Sequence, residues 1–466
     1  MSTYYLAVDI GASSGRHMLA HMEDGKMVLE EIYRFENGMD RKDGKLLWNT
    51  ERLFTEIKNG LKKAKELGKV PVSMGIDTWA VDYVLLDKDD KVLGDTFGYR
   101  DHRTDGMDEE VYKLISVEDL YARTGIQKQI FNTVYQLMAV KMQTPGLLEE
   151  AEAMLMLPDY FHYLLTGVKM QEYTNATSTQ LVNAETGDWD YELIDCLGYP
   201  RKIFLPISMP GTVVGHFTKE IAEEIGYDCE VVLPATHDTG SAIMALPTTS
   251  DDTLYISSGT WSLMGVENKK AVCTPEAQAR NFTNEGGYDH RFRFLKNIMG
   301  LWMIQQVRHE LNDAYSFAQL CDMAEVEKDF PSRVDVNDAC FLSPANMQEA
   351  IREYLRASCQ QEPANIGQMA AVIYQSLAES YAATVKEIEE LTGKHYEAIN
   401  IVGGGSKAMY LNVLTAQKTG RKVIAGPGEG TAIGNLMAQM IRAGVYSDLK
   451  DARQNVAASF DIFTVE

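Results

Sequence analysis

The sequence predicts a two-domain α/β protein, and three observations carry that reading. At 466 residues the chain is longer than one hydrophobic core ordinarily serves, and 45% of its residues are apolar, enough material for two. The first third alternates β-rich apolar runs with periodic helical stretches, the pattern of a sheet covered by helices. The second half starts the same pattern again, which divides the chain into domains 1–243 and 244–466 with no low-complexity linker between them.

The elements follow in order. Strands are expected at 4–10, 16–23 and 27–34, then a helix at about 50–67 capped by Thr50 with Glu51 in its first turn. Strands return at 72–77 and 82–87. Residues 108–166 read as mainly helical, with Ser116-Val117-Glu118-Asp119 a capping box that lacks the usual Glu or Gln. In the second half 231–235 is a short strand, and His237-Asp238-Thr239-Gly240-Ser241-Ala242 opens a small-residue helix. Residues 254–265 form a strand-turn-strand unit similar in kind to the amino-terminal hairpin, a weak internal duplication. Apolar residues Ile366, Met369, Ile373, Leu377, Tyr381, Val385, Ile388 and Leu391 recur every three or four positions, so 366–392 is a helix with a core-facing stripe. Residues 398–402 are a buried strand running into Gly403-Gly404-Gly405, with a helix after it.

Composition narrows the function. Forty-four Lys and Arg stand against 67 Asp and Glu, a net charge of −23 that repels nucleic acid and anionic membranes. Six cysteines are scattered without a Cys-x-x-Cys pair, which argues against structural zinc and for reduced thiols. Met1 to Tyr5 lacks the basic and apolar regions of a signal peptide, and no run reaches the roughly 18 apolar residues of a membrane span. A soluble cytoplasmic protein is expected, with neither nucleic acid nor membrane as a partner. The run Lys62-Lys63-Ala64-Lys65 reads as a solvated helix face, and Arg100, His102 and Arg103 form a polar cluster without an assigned role.

Four segments carry chemistry. Val8-Asp9-Ile10-Gly11-Ala12-Ser13-Ser14-Gly15-Arg16 is a strand, a small-residue turn and a second strand. Its backbone N–H groups suit phosphate oxygens, with Asp9 placed to hold hydrated Mg²⁺. Equally, it is a plain hairpin whose glycines supply positive φ. It has neither the Gly-Lys-Ser/Thr of a P-loop nor a dinucleotide fingerprint. Asp238, at the start of a small-residue helix, reads either as an N-cap or as the acceptor of a sugar hydroxyl proton in phosphoryl transfer. The turn at Ser257-Ser258-Gly259-Thr260 and the run Gly403-Gly404-Gly405 let phosphate, ribose or base approach the backbone, or serve as tight turns. Asp77-Thr78-Trp79-Ala80-Val81-Asp82-Tyr83 mixes acids and aromatics as a sugar pocket does, and as a half-buried strand edge also does.

Taken together, these motifs resemble the FGGY carbohydrate kinases. The matching strings are Val8 to Arg16, Gly75 to Trp79, Val84 to Asp87, Tyr99 to Asp101, Pro158 to Phe161, Tyr173 to Thr177 and His237 to Thr239. Further on come Ser257 to Gly265, Thr283 to Gly287, Leu295 to Trp302, Val402 to Gly405 and Ala425 to Pro427. The resemblance implies two actin-like, ribonuclease H-like ATPase domains with the active site in the cleft between them. It implies ATP and Mg²⁺, with Asp9 on the metal through water and Ala12, Ser13, Ser14, Gly15 and Arg16 on the phosphates. Thr260, Asn297, Gln305, Gly403 and Gly404 correspond to further ATP contacts. Asp238 corresponds to the general base, and Ala80, His237 and Thr239 join it on the sugar. The longer strings imply phosphorylation of the 1-hydroxyl of L-rhamnulose in L-rhamnose catabolism. Another ketose or polyol (L-fuculose, xylulose, glycerol) is the alternative, and a non-catalytic actin-like nucleotide binder is the alternative of another class. Three positions depart from the family pattern: Ala80 where glycine is usual, Ala408 where asparagine is common, and Val413 where glutamine is common.

Overall fold

The computed structural model describes residues 2–466. Two compact units form, and they are not two halves of the chain. Unit 1 comprises the chain up to Ala245 together with Asn268–Phe294 and Thr431–Ser459. Unit 2 comprises Leu246–Glu267, Leu295–Gly430 and Phe460–Glu466. The division therefore departs from 1–243 and 244–466 by two returns of the later chain into unit 1.

Unit 1 is built on six strands. The hairpin strands β1 (Tyr4–Ile10), β2 (Ser14–Glu23) and β3 (Lys26–Glu36) are antiparallel neighbours. Beyond β1 lie Pro71–Thr78 and Glu230–Val232, each parallel to its neighbour, and then antiparallel Val213–His216 at the edge. Helix α1 (Thr50–Glu66) sends Leu53, Ile57, Leu61 and Ala64 into the same core as Leu6, Val8 and Ile76. Each large apolar side chain of this kind contributes about 1.5–3 kcal/mol when fully buried. The cap of α1 is Asn49, whose Oδ1 accepts from Arg52 N at 3.0 Å, and not Thr50. Thr50 is already helical, and Asn is as good a cap as any residue.

The segment 108–166 is mostly helical, with Ser116 Oγ accepting from Asp119 N at 3.0 Å. It also contains the strand Ala153–Met156, antiparallel to Tyr83–Leu86. That strand is four buried residues long, too short for its periodicity to be told from a buried helix.

Unit 2 carries the run of strands Trp261–Asn268, Leu254–Ser258, Ala398–Val402, Lys422–Ala425 and Phe463–Val465. The middle three are mutually parallel. The helix Ile366–Thr392 spans the predicted range, capped by Asn365 and ended by Gly393 at φ +67°. Met369, Ile373, Leu377, Tyr381, Val385 and Ile388 of the predicted stripe are buried, while Ile366 and Leu391 at its ends are only partly covered. The second and third glycines open a 3₁₀ turn, Gly404–Lys407, and the α-helix begins only at Met409. All six cysteines are free thiols. Among the described residues no helix is long and apolar enough to cross a membrane.

Candidate active site

Strand register gathers three carboxylates at one end of the unit 1 sheet. Asp9 pairs with Asp77 on the adjacent parallel strand, and an isolated parallel bridge joins Thr78 to His237, which lies beyond the end of the next strand, Glu230–Val232. Asp238 follows at once, as the first residue of helix Asp238–Met244. The carboxyl ends of parallel strands are where open α/β sheets bind ligands.

Asp238 is not the cap of its helix. His237 occupies that position and makes no side-chain cap bond, while Asp238 Oδ1 accepts from Thr239 N at 2.6 Å. A third of the Asp238 side chain stays exposed. Enclosure of its carboxyl first, and the charge of Asp9 second, push it up to about 7. A base poised near neutrality combines an ionised fraction with real proton affinity.

His237 is locked on both sides. Its Nε2 lies 2.8 Å from Thr239 Oγ1 and its Nδ1 lies 3.0 Å from Arg293 Nη2. Arg293 is fully buried, pairs with Glu285 at 3.0 Å and donates from Nε to Gly286 O. Burial first and the Arg293 charge second hold His237 far below the usual imidazole range, so the ring is neutral.

Asp77 is fully buried. Its Oδ2 accepts from Asn435 Nδ2 at 2.6 Å, while Oδ1 has no hydrogen-bond partner. Burial, then Asp9, raise its carboxyl well above the ordinary range. Asp9 Oδ2 accepts from Arg16 Nε at 3.0 Å and Nη2 at 2.9 Å. Among the described residues no group of three or more His, Cys, Asp or Glu could hold a metal alone. Mg²⁺ usually takes one or two carboxylates and otherwise waters and phosphates, and Asp9 beside the orphaned Oδ1 of Asp77 fits that donor set.

The turn after β1 is tied at both ends. Gly11 N donates to Ser14 O, Asn37 N to Ser13 O and Asn37 Nδ2 to Gly11 O, all within 2.9 Å. Neither Gly11 nor Gly15 has positive φ, which overturns the hairpin reading of these glycines. Gly15 is required by space instead: a Cβ there would lie 2.1 Å from the Phe35 ring.

The segment 77–83 is mostly buried framework. Asp82 is buried and accepts from Trp48 Nε1, Trp79 Nε1, Tyr99 N and Gln136 Nε2 at 2.6–3.0 Å. Burial still pushes it up to about 6. The two indole rings pack at 4.0 Å between centroids. Val81 holds φ +67°, unusual for a β-branched residue, and its carbonyl accepts from Thr133 Oγ1 at 2.7 Å and Gln136 Nε2 at 3.2 Å. Ala80 is partly exposed beside this clamp.

In unit 2 the turn at 257–260 contacts Gln305 and the glycine run. Thr260 Oγ1 donates to Gln305 Oε1 at 3.3 Å, and Leu301 N and Trp302 N donate to Gly259 O and Thr260 O. Gly403 sits at φ +86°, where a Cβ would lie 2.9 Å from Ser258 O, and a Cβ on Gly405 would lie 2.0 Å from Ser258 Oγ. Both motifs are small because they pack on each other. Gly404 has open space around it. Asn297, on strand Phe292–Met299, has a buried Oδ1 without a partner.

Sequence reasoning assigns no role to Arg293, Asn435 or Glu172, and includes Glu285 only within a matching string. Arg293 does leave a signal: an arginine between Phe292 and Phe294 is buried only if paired. Glu172 is fully buried and accepts from Thr174 N and Oγ1, Asn175 N, and Thr236 N and Oγ1, while Thr174 Oγ1 in turn accepts from His237 N. It thereby anchors the segment that carries His237 and Asp238.

Known proteins resemble the chain throughout. Residues 4–245 match the N-terminal domain, and residues 254–443 the C-terminal domain, of the FGGY family of carbohydrate kinases. A protein named rhamnulokinase from Halalkalibacterium halodurans is 52% identical over 98% of both chains. One from Bacillus subtilis is 44% identical over 98% of this chain and 94% of its own. Among solved structures, a xylulose kinase from Lactobacillus acidophilus superposes with TM-score 0.78 at 16% identity over 100% of this chain and 93% of its own. Plasmodium falciparum glycerol kinase with ADP gives 0.78 at 13% over 99% and 94%. The fold is the two-domain α/β fold of these kinases.

Proposed function

This chain belongs to the FGGY family of carbohydrate kinases, and from that premise we propose that it transfers the γ-phosphate of ATP to the 1-hydroxyl of L-rhamnulose. The observation that carries the chemistry is the position of Asp238, a one-third-exposed carboxylate opening a helix beside the paired Asp9 and Asp77. Enclosure and the Asp9 charge push it up to about 7 there. The similarity to proteins named rhamnulokinase supports the choice of sugar.

In this reading the sugar lies against Ala80, His237 and Thr239, with its primary hydroxyl on the Asp238 oxygen that Thr239 N does not hold. As the sugar oxygen bonds to the γ-phosphorus, its proton passes to Asp238 and the bond to the β–γ bridging oxygen breaks, releasing ADP. Ala12, Ser13, Ser14, Gly15 and Arg16 take the phosphate oxygens, and Thr260, Asn297, Gln305, Gly403 and Gly404 the rest of the nucleotide. Asp9 would hold Mg²⁺ through water, and the ion would neutralise phosphate charge. Fixed donors and charges of this kind supply most of the catalysis that phosphoryl transfer needs. We place the enzyme in the cytoplasm, as a monomer or homodimer acting on small molecules.

A panel of L-rhamnulose, L-fuculose, xylulose and glycerol, with coupled detection of ADP, tests the proposal. L-Rhamnulose is expected to have the highest kcat/KM, by about tenfold or more, because a pocket with matched hydrogen bonds discriminates strongly. A higher value on another acceptor would overturn the sugar, and ADP formation indifferent to any acceptor would overturn the kinase.

A further inference from the structure

The direction of the hydrogen bonds around His237 can be read from the groups that surround it. Arg293 Nη2 has two hydrogens and no lone pair to offer. It lies 3.0 Å from His237 Nδ1, within hydrogen-bond geometry, and forms an ion pair with Glu285 Oε2 at 3.0 Å. A proton on Nδ1 would point into the guanidinium. Nδ1 is therefore the acceptor, the neutral ring carries its hydrogen on Nε2, and that hydrogen goes to Thr239 Oγ1 at 2.8 Å. With one lone pair of Oγ1 so occupied, the Thr239 hydroxyl hydrogen faces away from the histidine, and Oγ1 has no second hydrogen-bond partner among the described residues.

We propose that Glu285 and Arg293 are positioning residues that, through the tautomer of His237, fix the Thr239 hydroxyl as a donor toward a lone pair on a sugar oxygen. The idea rests on the sugar lying against Asp238 and adds a selection rule to that site: the atom facing Thr239 is an oxygen that accepts. Burial supports it, because Arg293 is fully covered and His237 nearly so, and the bond between them is shielded from bulk solvent. Without Arg293, the imidazole proton can move to Nδ1, 3.4 Å from Glu285 Oε2. Nε2 then accepts from Thr239, and the hydroxyl hydrogen turns inward, away from the sugar.

Nitrogen-15 NMR of histidine-labelled protein, with His237→Gln to assign the signal, reads the tautomer directly and does not depend on which sugar is the substrate. The wild type is expected to show the Nε2–H form. An Nδ1–H form would overturn the proposal whether or not the kinase reading holds. A second arm uses the acceptor sugar the enzyme does phosphorylate and its singly deoxygenated analogues. Thr239→Val and Arg293→Met are each expected to lower kcat/KM for the sugar about tenfold, the weight of one buried hydrogen bond, with KM for ATP unchanged. Both should lose discrimination against the same deoxy position, and the double variant should fall no further than either single one. Additive losses, or unaltered deoxy discrimination in Arg293→Met with its fold confirmed by circular dichroism, would make Arg293 merely structural and the proposal wrong.

Discussion

Asp9 and Asp77 are register partners on adjacent parallel strands, so two carboxylates lie side by side at the edge of the site. Both Asp77 and Asp238 are held above the ordinary carboxylate range by burial together with the charge of Asp9. Like charges in one enclosed place cannot all ionise freely, and this is how a carboxyl acquires the proton affinity a base requires.

The pH dependence follows with a definite sign. Asp238 accepts a proton only when ionised, so kcat/KM for the sugar should rise with pH through an apparent pKa near 7 and level off above it. Removing the charge of its neighbour, as in Asp9→Asn, should move that limb to lower pH. A profile flat from about pH 5 to about pH 8 would contradict the assignment.

Gly15→Ala places a methyl 2.1 Å from the Phe35 ring. Overpacking of this kind costs about 1–3 kcal/mol, which chemical denaturation would register. Phe35→Leu in the same chain should recover part of that stability by making room. If Gly15 were kept only for backbone freedom, Phe35→Leu would recover nothing.

Gly403 lies at φ +86° and ψ −177°, a region that side chains other than hydrogen essentially never occupy, with Ser258 O 2.9 Å from the position of a Cβ. Gly403→Ala should weaken ATP binding by about tenfold, the equivalent of about 1.4 kcal/mol, measured by calorimetry. Sugar binding, assigned to residues of unit 1, should be unaltered. Gly404→Ala, into open space, should have the smaller effect of the two.

The long-period features are legible in the sequence alone. The strands around Asp9, the helix 366–392 and the strand 398–402 show themselves through apolar patterns that repeat along the chain. Asp238, Thr239 and the glycine run are visible because small and acidic residues cluster at element ends. Partners brought from far along the chain are not legible. Asn435 reaches Asp77 across 358 positions, and Arg293 reaches His237 across 56. No local spacing encodes either contact. The buried Glu172 likewise reads like any surface glutamate, since what distinguishes it is the set of donors supplied by the fold. Space is equally hidden: Gly15 is small because of Phe35, and Gly403 and Gly405 because of Ser258.

In the proposed mechanism Asp238 takes the proton of the sugar hydroxyl, and everything else at the site serves that step. Asp238→Asn keeps the shape and the bond from Thr239 N but has no basic oxygen. The direct measurement is the rate of phosphoryl transfer in a single turnover, with sugar and ATP binding measured separately on the same protein. Transfer is expected to fall by about 10²–10⁴-fold while both ligands still bind. Transfer at the wild-type rate with both ligands bound would contradict it.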